Sequence, residues 1–78
     1  MTLQQIVPVA VNSTLLRSMS YDIALSILDL EFRDGALYRY FDVPETIYTG
    51  LIAAESKGSY FNRSIRPCFP YAFIRGPQ

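Results

Sequence analysis

The stretch Leu28-Asp29-Leu30-Glu31-Phe32-Arg33-Asp34-Gly35-Ala36-Leu37-Tyr38-Arg39-Tyr40 decides the fold. Leu28, Leu30 and Phe32 alternate with Asp29 and Glu31, the period-2 pattern of an antiparallel strand with one face buried and one in water. Arg33-Asp34-Gly35 signals a tight hairpin turn, because glycine accepts a positive φ at little cost. Ala36 to Phe41 returns as the partner strand. It puts Tyr38 and Tyr40 on one face and Leu37, Arg39 and Phe41 on the other.

Downstream, Val43-Pro44 ends the strand and opens a helix, since proline suits a first helical turn and Glu45 complements the helix dipole. Ile47, Tyr48, Leu51 and Ile52, followed by Ala54 or Glu55, recur at helical spacing and predict a helix over residues 44–56 with one stripe against the sheet. Gly50 costs such a helix ~1 kcal/mol against alanine and marks a close approach to the sheet. Gly58 reads as the helix stop and Ser59 as the cap of a short second helix from Tyr60 to Ile65, ended by Pro67. Upstream, Leu15 to Tyr21 alternates as a strand, and Tyr71 to Ile74 is a candidate last strand. The expectation is an α+β fold: a small antiparallel sheet of three to four strands, one main helix packed on one face and a short second helix. Residues 1–12 read as an N-terminal arm or edge strand, 13–73 as a single domain and 74–78 as a loose C-terminal tail.

The chain has 78 residues, room for one domain that buries only ~60% of its unfolded surface. Half of its residues are hydrophobic, including six Tyr and five Phe. A dense aromatic core explains this content, and so does apolar surface buried against a second copy or a ligand. The formal net charge is zero, which argues against a general polyanion binder. The charge is unevenly spread. Residues 1–55 hold three arginines against seven acids, whereas residues 56–78 hold Lys57, Arg63, Arg66 and Arg75 and no acid. Either the halves neutralise each other or the C-terminal part presents a basic face to phosphate. A single cysteine, Cys68, allows no internal disulfide and suits a reducing cytoplasm. No secretory leader and no membrane-spanning stretch is expected.

Reaction chemistry is sparse. Without histidine there is no imidazole base, no Ser-His relay and no histidine metal ligand. One cysteine cannot build a zinc site, and Cys68 between Pro67 and Phe69 reads as a small apolar packer. Asp29 and Glu31 share a strand face, but that pattern is a solvated face rather than an acid–base pair. The four glycines do not form a phosphate loop. A non-enzymatic protein without a cofactor is therefore expected.

Two constellations suit binding. Tyr38-Arg39-Tyr40 offers two rings at i and i+2, either as a stacking platform for bases or as core beneath the helix. Lys57, Ser59, Tyr60, Asn62, Arg63 and Arg66 gather donors around a helix start, an intrinsic anion site. Arg63 and Arg66, three apart, fall on one face of an α-helix and could clamp a phosphate. The alternative is a plain helix–helix joint with arginines paired to sheet acids.

The order of these motifs resembles the KTSC family, small domains named for the C-terminal domain of some lysyl-tRNA synthetases and also found alone in bacteria and phages. The matching features are Leu28-x-Leu30-x-Phe32, Gly35, the Tyr-x-Tyr of Tyr38 and Tyr40, Val43-Pro44, Ser56-x-Gly58 and Phe61-Asn62-x-x-Ile65-Arg66. Ser18 to Asp22 looks like the family's first strand, so the resemblance covers roughly Ser13 to Tyr71. It implies RNA binding, a role proposed for the family through its link to tRNA synthetases. The positions that would carry it are Tyr38, Tyr40, Lys57, Ser59, Tyr60, Asn62, Arg63 and Arg66, with Arg39 added from the strand pattern. The leading expectation is a module for single-stranded or structured RNA. A protein-interaction or self-assembly module and a pocket for a nucleotide or small anionic ligand are the alternatives.

Overall fold

The computed structural model describes residues 8–77. Five strands, β1 (Val9–Ala10), β2 (Leu16–Asp22), β3 (Ile27–Phe32), β4 (Leu37–Tyr40) and β5 (Tyr71–Arg75), form one antiparallel sheet in sequential order. Between β4 and β5 come α1 (Glu45–Ala53), α2 (Lys57–Tyr60) and a π-helical segment, Phe61–Ile65, that continues α2. The sheet thus has five strands rather than three to four, and there are two helical elements of similar length rather than one main helix. β1 is too short to alternate visibly, and Pro67 and Pro70 break up the sequence before β5. β5 covers the candidate last strand Tyr71 to Ile74 and takes in one further residue, Arg75, from the expected tail. Of the predicted arm, Met1 to Val7 lies outside the described residues; Val9 and Ala10 pair with Met19 and Ser18 as an edge strand.

The central hairpin forms where the alternation places it. Leu28 faces Tyr40, Asp29 faces Arg39 and Leu30 faces Tyr38. Gly35 adopts φ 95° in the turn, with its N–H donated to the Phe32 carbonyl at 2.9 Å. The helices lie on the leucine face. Leu16, Met19, Leu28, Leu30, Tyr40, Val43, Leu51, Phe61 and Ile65 make one buried cluster. The other face, with Ser18, Ser20, Asp29, Glu31 and Arg39, carries no helix among the described residues.

Three local readings are corrected. Ser56, not Ser59, caps the second helix: its Oγ accepts the Ser59 N–H at 3.2 Å. Gly58 is no stop, because it sits inside α2. Gly50 marks a close approach to the second helix, not to the sheet: a Cβ there would overlap the Tyr60 hydroxyl and lie 2.8 Å from its Cζ.

Candidate functional site

Tyr38 and Tyr40 project from β4 to the helix-covered side. The helices cover this side fully at Tyr40, which is buried, but only partly at Tyr38. β5 adds Tyr71 opposite Tyr40 and Phe73 opposite Tyr38. β3 contributes Phe32, and the π-helical segment lays Phe61 against it. The five rings of Phe32, Tyr38, Tyr71, Tyr40 and Phe61 form a closed circuit, each touching the next at centroid distances of 5.3 to 5.8 Å in tilted or edge-on geometry. Such contacts contribute about 0.5–1.5 kcal/mol each beyond area burial. All five rings line a single cleft of about 440 Å³, together with Leu15, Asp34, Ala36, Asn62, Arg66 and Pro77. That volume is in the usual range for a small-ligand pocket, roughly 300–1,000 Å³. Tyr71 remains 59% exposed at its rim.

Arg66 reaches this cleft because of how the chain winds. The Arg66 N–H bonds to the Phe61 carbonyl at 2.9 Å, an i→i−5 contact. The wider turn brings Phe61, Asn62 and Arg66 to one side and sends Arg63 to the other. Arg63 instead sits over the Tyr60 ring, 6.0 Å from its centroid. The two arginines therefore do not form the clamp that α-helical spacing predicts. Near Tyr40, burial is the main reason its hydroxyl is pushed up to about 12. The neighbouring Tyr38 and Tyr71 add to that rise, while the Arg66 charge opposes it.

The other predicted site residues have structural work. Arg39 points to the open face, where its Nε and Nη2 bond the Asp29 carboxylate at 2.8 and 3.0 Å. That hydrogen bond and charge raise its already high pKa further. The Lys57 ammonium caps α1 by donating to the carbonyls of Ile52 and Ala54, each at 3.0 Å. Ser59 is tied to Ser56, and Tyr60 donates its hydroxyl to the Ile47 carbonyl at 3.0 Å. Of the nine predicted positions, the cleft takes in Tyr38, Tyr40, Asn62 and Arg66; Ser59, Tyr60 and Arg63 line a separate hollow beside α1, and Arg39 and Lys57 lie outside both. Cys68, expected to pack, is exposed.

Sequence reasoning missed Phe32, Asp34 and Tyr71 as site residues. A signal existed: Tyr71-x-Phe73 repeats the spacing of Tyr38-x-Tyr40, as it must if β5 extends the same ring-bearing face.

No helix among the described residues is long and apolar enough to cross a membrane. Comparison with known proteins agrees with the fold. A KTSC domain protein from Yersinia pestis has a crystal structure that superimposes with a TM-score of 0.87 at 30% identity, covering 91% of this chain and 100% of the other. An uncharacterised protein of Stutzerimonas stutzeri is 46% identical over 59 residues, 76% of this chain and 83% of that protein. A lysine–tRNA ligase of Nostoc sp. is 38% identical over 60 residues, 77% of this chain but 11% of the ligase. The sequence profile of the KTSC domain matches residues 12–69. By sequence and by fold, the chain belongs to the KTSC domain family.

Proposed function

We propose that this domain is a non-enzymatic binding module that takes single-stranded RNA into the five-ring cleft. The observation that carries this reading is Arg66. Every other cation among the described residues is engaged by the protein itself: Arg17, Arg33, Arg39, Lys57 and Arg75 through hydrogen bonds, and Arg63 over Tyr60. Arg66 is exposed, makes no ion pair among the described residues, and lines an aromatic cleft. Rings for stacking beside an unengaged guanidinium are what a nucleotide needs, since base–aromatic stacking contributes ~1–3 kcal/mol per base and the cation meets phosphate. The similarity to a segment of a lysine–tRNA ligase supports the same reading by analogy. With zero net charge and one such arginine, the expected binding is local and weakly salt-dependent.

The test is an NMR titration of the labelled protein with a short mixed-sequence RNA at low and then moderate salt. Shifts are expected at Tyr38, Asn62, Arg66 and Tyr71, fading as salt rises. A spectrum that does not move at either salt concentration overturns the proposal.

One observation favours a second reading, self-assembly. β5 is an edge strand whose Tyr71, Phe73 and Ile74 are 59%, 58% and 44% exposed, and an edge of this kind can pair with the same edge of a second copy. Light scattering would then report a dimer, and Ile74→Lys would return a monomer.

A further inference from the structure

The RNA-binding reading treats the cleft as a stacking surface, and rings alone do not distinguish one base from another. The cleft also holds an acid. Asp34, from the β3–β4 turn, lines it together with Arg66 and Asn62. Its Oδ1 accepts the Ala36 N–H at 3.0 Å, which fixes the carboxylate in place. Its Oδ2 has no protein partner among the described residues. A carboxylate at a nucleic-acid site is costly unless it has something to do, because it repels phosphate. It is an acceptor only, so it must be matched by donors.

Among the four RNA bases, the pairing edges differ in this respect. Guanine presents two adjacent donors, N1–H and the N2 amine, at the spacing of two carboxylate oxygens. Adenine and cytosine each set a donor beside an acceptor, and uracil sets one donor between two acceptors. A carboxylate therefore pairs with guanine and is repelled by lone pairs on the others. A quaternary ammonium also suits aromatic rings, but the Arg66 charge is felt at the Tyr40 hydroxyl inside the same cleft and disfavours a second cation.

We propose, resting on the RNA-binding reading above, that the cleft selects guanine: its rings stack the base, Asp34 accepts from N1–H and N2–H, and Arg66 holds a phosphate of the same nucleotide. A bidentate contact of this type discriminates by about 10–100-fold.

The experiment measures affinity of the full chain for five-nucleotide RNAs that differ only at the middle base of a uridine run, by fluorescence anisotropy. The guanine oligomer is expected to bind about 10–100-fold more tightly than the adenine, cytosine and all-uridine oligomers. Inosine, which lacks the N2 amine, should fall between. The variant Asp34→Asn keeps its one oxygen for the Ala36 N–H and turns the free carboxylate oxygen into an NH2 donor, so the cleft loses the acceptor that guanine needs. It should collapse the guanine-to-adenine ratio towards one while its NMR spectrum stays folded. Equal affinity for all four oligomers, or a guanine preference that survives in Asp34→Asn, overturns guanine selection and leaves RNA binding standing. Binding of none of them overturns both, and binding of choline in their place identifies a cation cage.

Discussion

On the open face of the sheet, Arg39 closes on Asp29 at 2.8 Å and Arg75 reaches across β4 to Glu31 at 2.7 Å. On the covered face, Arg66 ends beside five aromatic rings and makes no ion pair among the described residues. The open face has more charge, yet its charges are spent on each other: Ser18 also donates to Glu31 at 2.9 Å, and the Arg75 Nε to the Gly35 carbonyl at 3.1 Å. A polar face whose groups pair internally holds strand register and presents little to a ligand. The covered face has one cation at its rim, and it is the one with capacity left. Counting charges favours the open face, and counting unengaged charges favours the covered one.

The largest effect should come from the core that separates the faces. Leu30 is fully buried under the helices, and Leu37, which pairs with the adjacent Glu31 across the hairpin, is half-buried on the open side. Leu30→Ala should cost about 3–4 kcal/mol, as buried leucine deletions do, and Leu37→Ala under about 1.5 kcal/mol. Urea denaturation of both variants tests this. Equal costs would mean that the open face is covered in solution.

Next comes an alkaline transition that belongs to the cleft. An ordinary tyrosine ionises near pH 10, whereas Tyr40 is held protonated to about 12. Between those values the unfolded chain gives up a proton that the folded chain keeps. Stability is therefore full below pH 10 and falls as pH rises through the window, by no more than ~1.4 kcal/mol per pH unit for this one proton. Tyr40→Phe should flatten that fall relative to the parent protein in denaturation measured across the range. Arg66→Ala should move the Tyr40 transition higher still, because the arginine charge favours the phenolate. A Tyr40 transition indifferent to Arg66 would separate the two residues and break the cleft.

A smaller effect tests the joint that carries Arg66 to the cleft. Gly50→Ala adds ~1 kcal/mol of helix propensity but drives a methyl into Tyr60, whose hydroxyl is bonded to Ile47. The net result should be a loss of ~1–2 kcal/mol, in line with overpacking elsewhere. In a Tyr60→Leu background the sign should reverse, and the double-mutant cycle isolates the clash.

How much of this was legible follows from the range of each signal. The β3–β4 hairpin was readable because alternation and turn chemistry are local, and Leu28, Leu30, Tyr38 and Tyr40 share a face as their spacing requires. The same rule told that Arg39 faces away from its tyrosine neighbours, but adjacency in sequence drew it into the candidate site. The link between Arg66 and Tyr40 was not readable, because it depends on the i→i−5 winding at Phe61, and no residue type announces that. Nor was the place of Tyr71, which depends on β5 adding to β4 across a connection of two helical elements. Tyr38, Tyr40, Asn62 and Arg66 were thus visible one by one, the other cleft residues were not, and the meeting of all of them was a tertiary event.

The smallest stability effect is the sharpest test of the two faces. Arg39→Ala removes one surface ion pair and should cost less than about 1 kcal/mol, less again at high salt. RNA affinity should be unchanged, since the guanidinium is already satisfied and on the wrong side of the sheet. Arg66→Ala should do the reverse. No ion pair among the described residues depends on it, so the denaturation midpoint should hold. RNA affinity should drop, and the slope of log affinity against log salt should flatten by roughly one phosphate contact. If Arg39→Ala weakened RNA binding and Arg66→Ala did not, the ligand would lie on the open face. The aromatic circuit would then be core packing that happens to reach the surface.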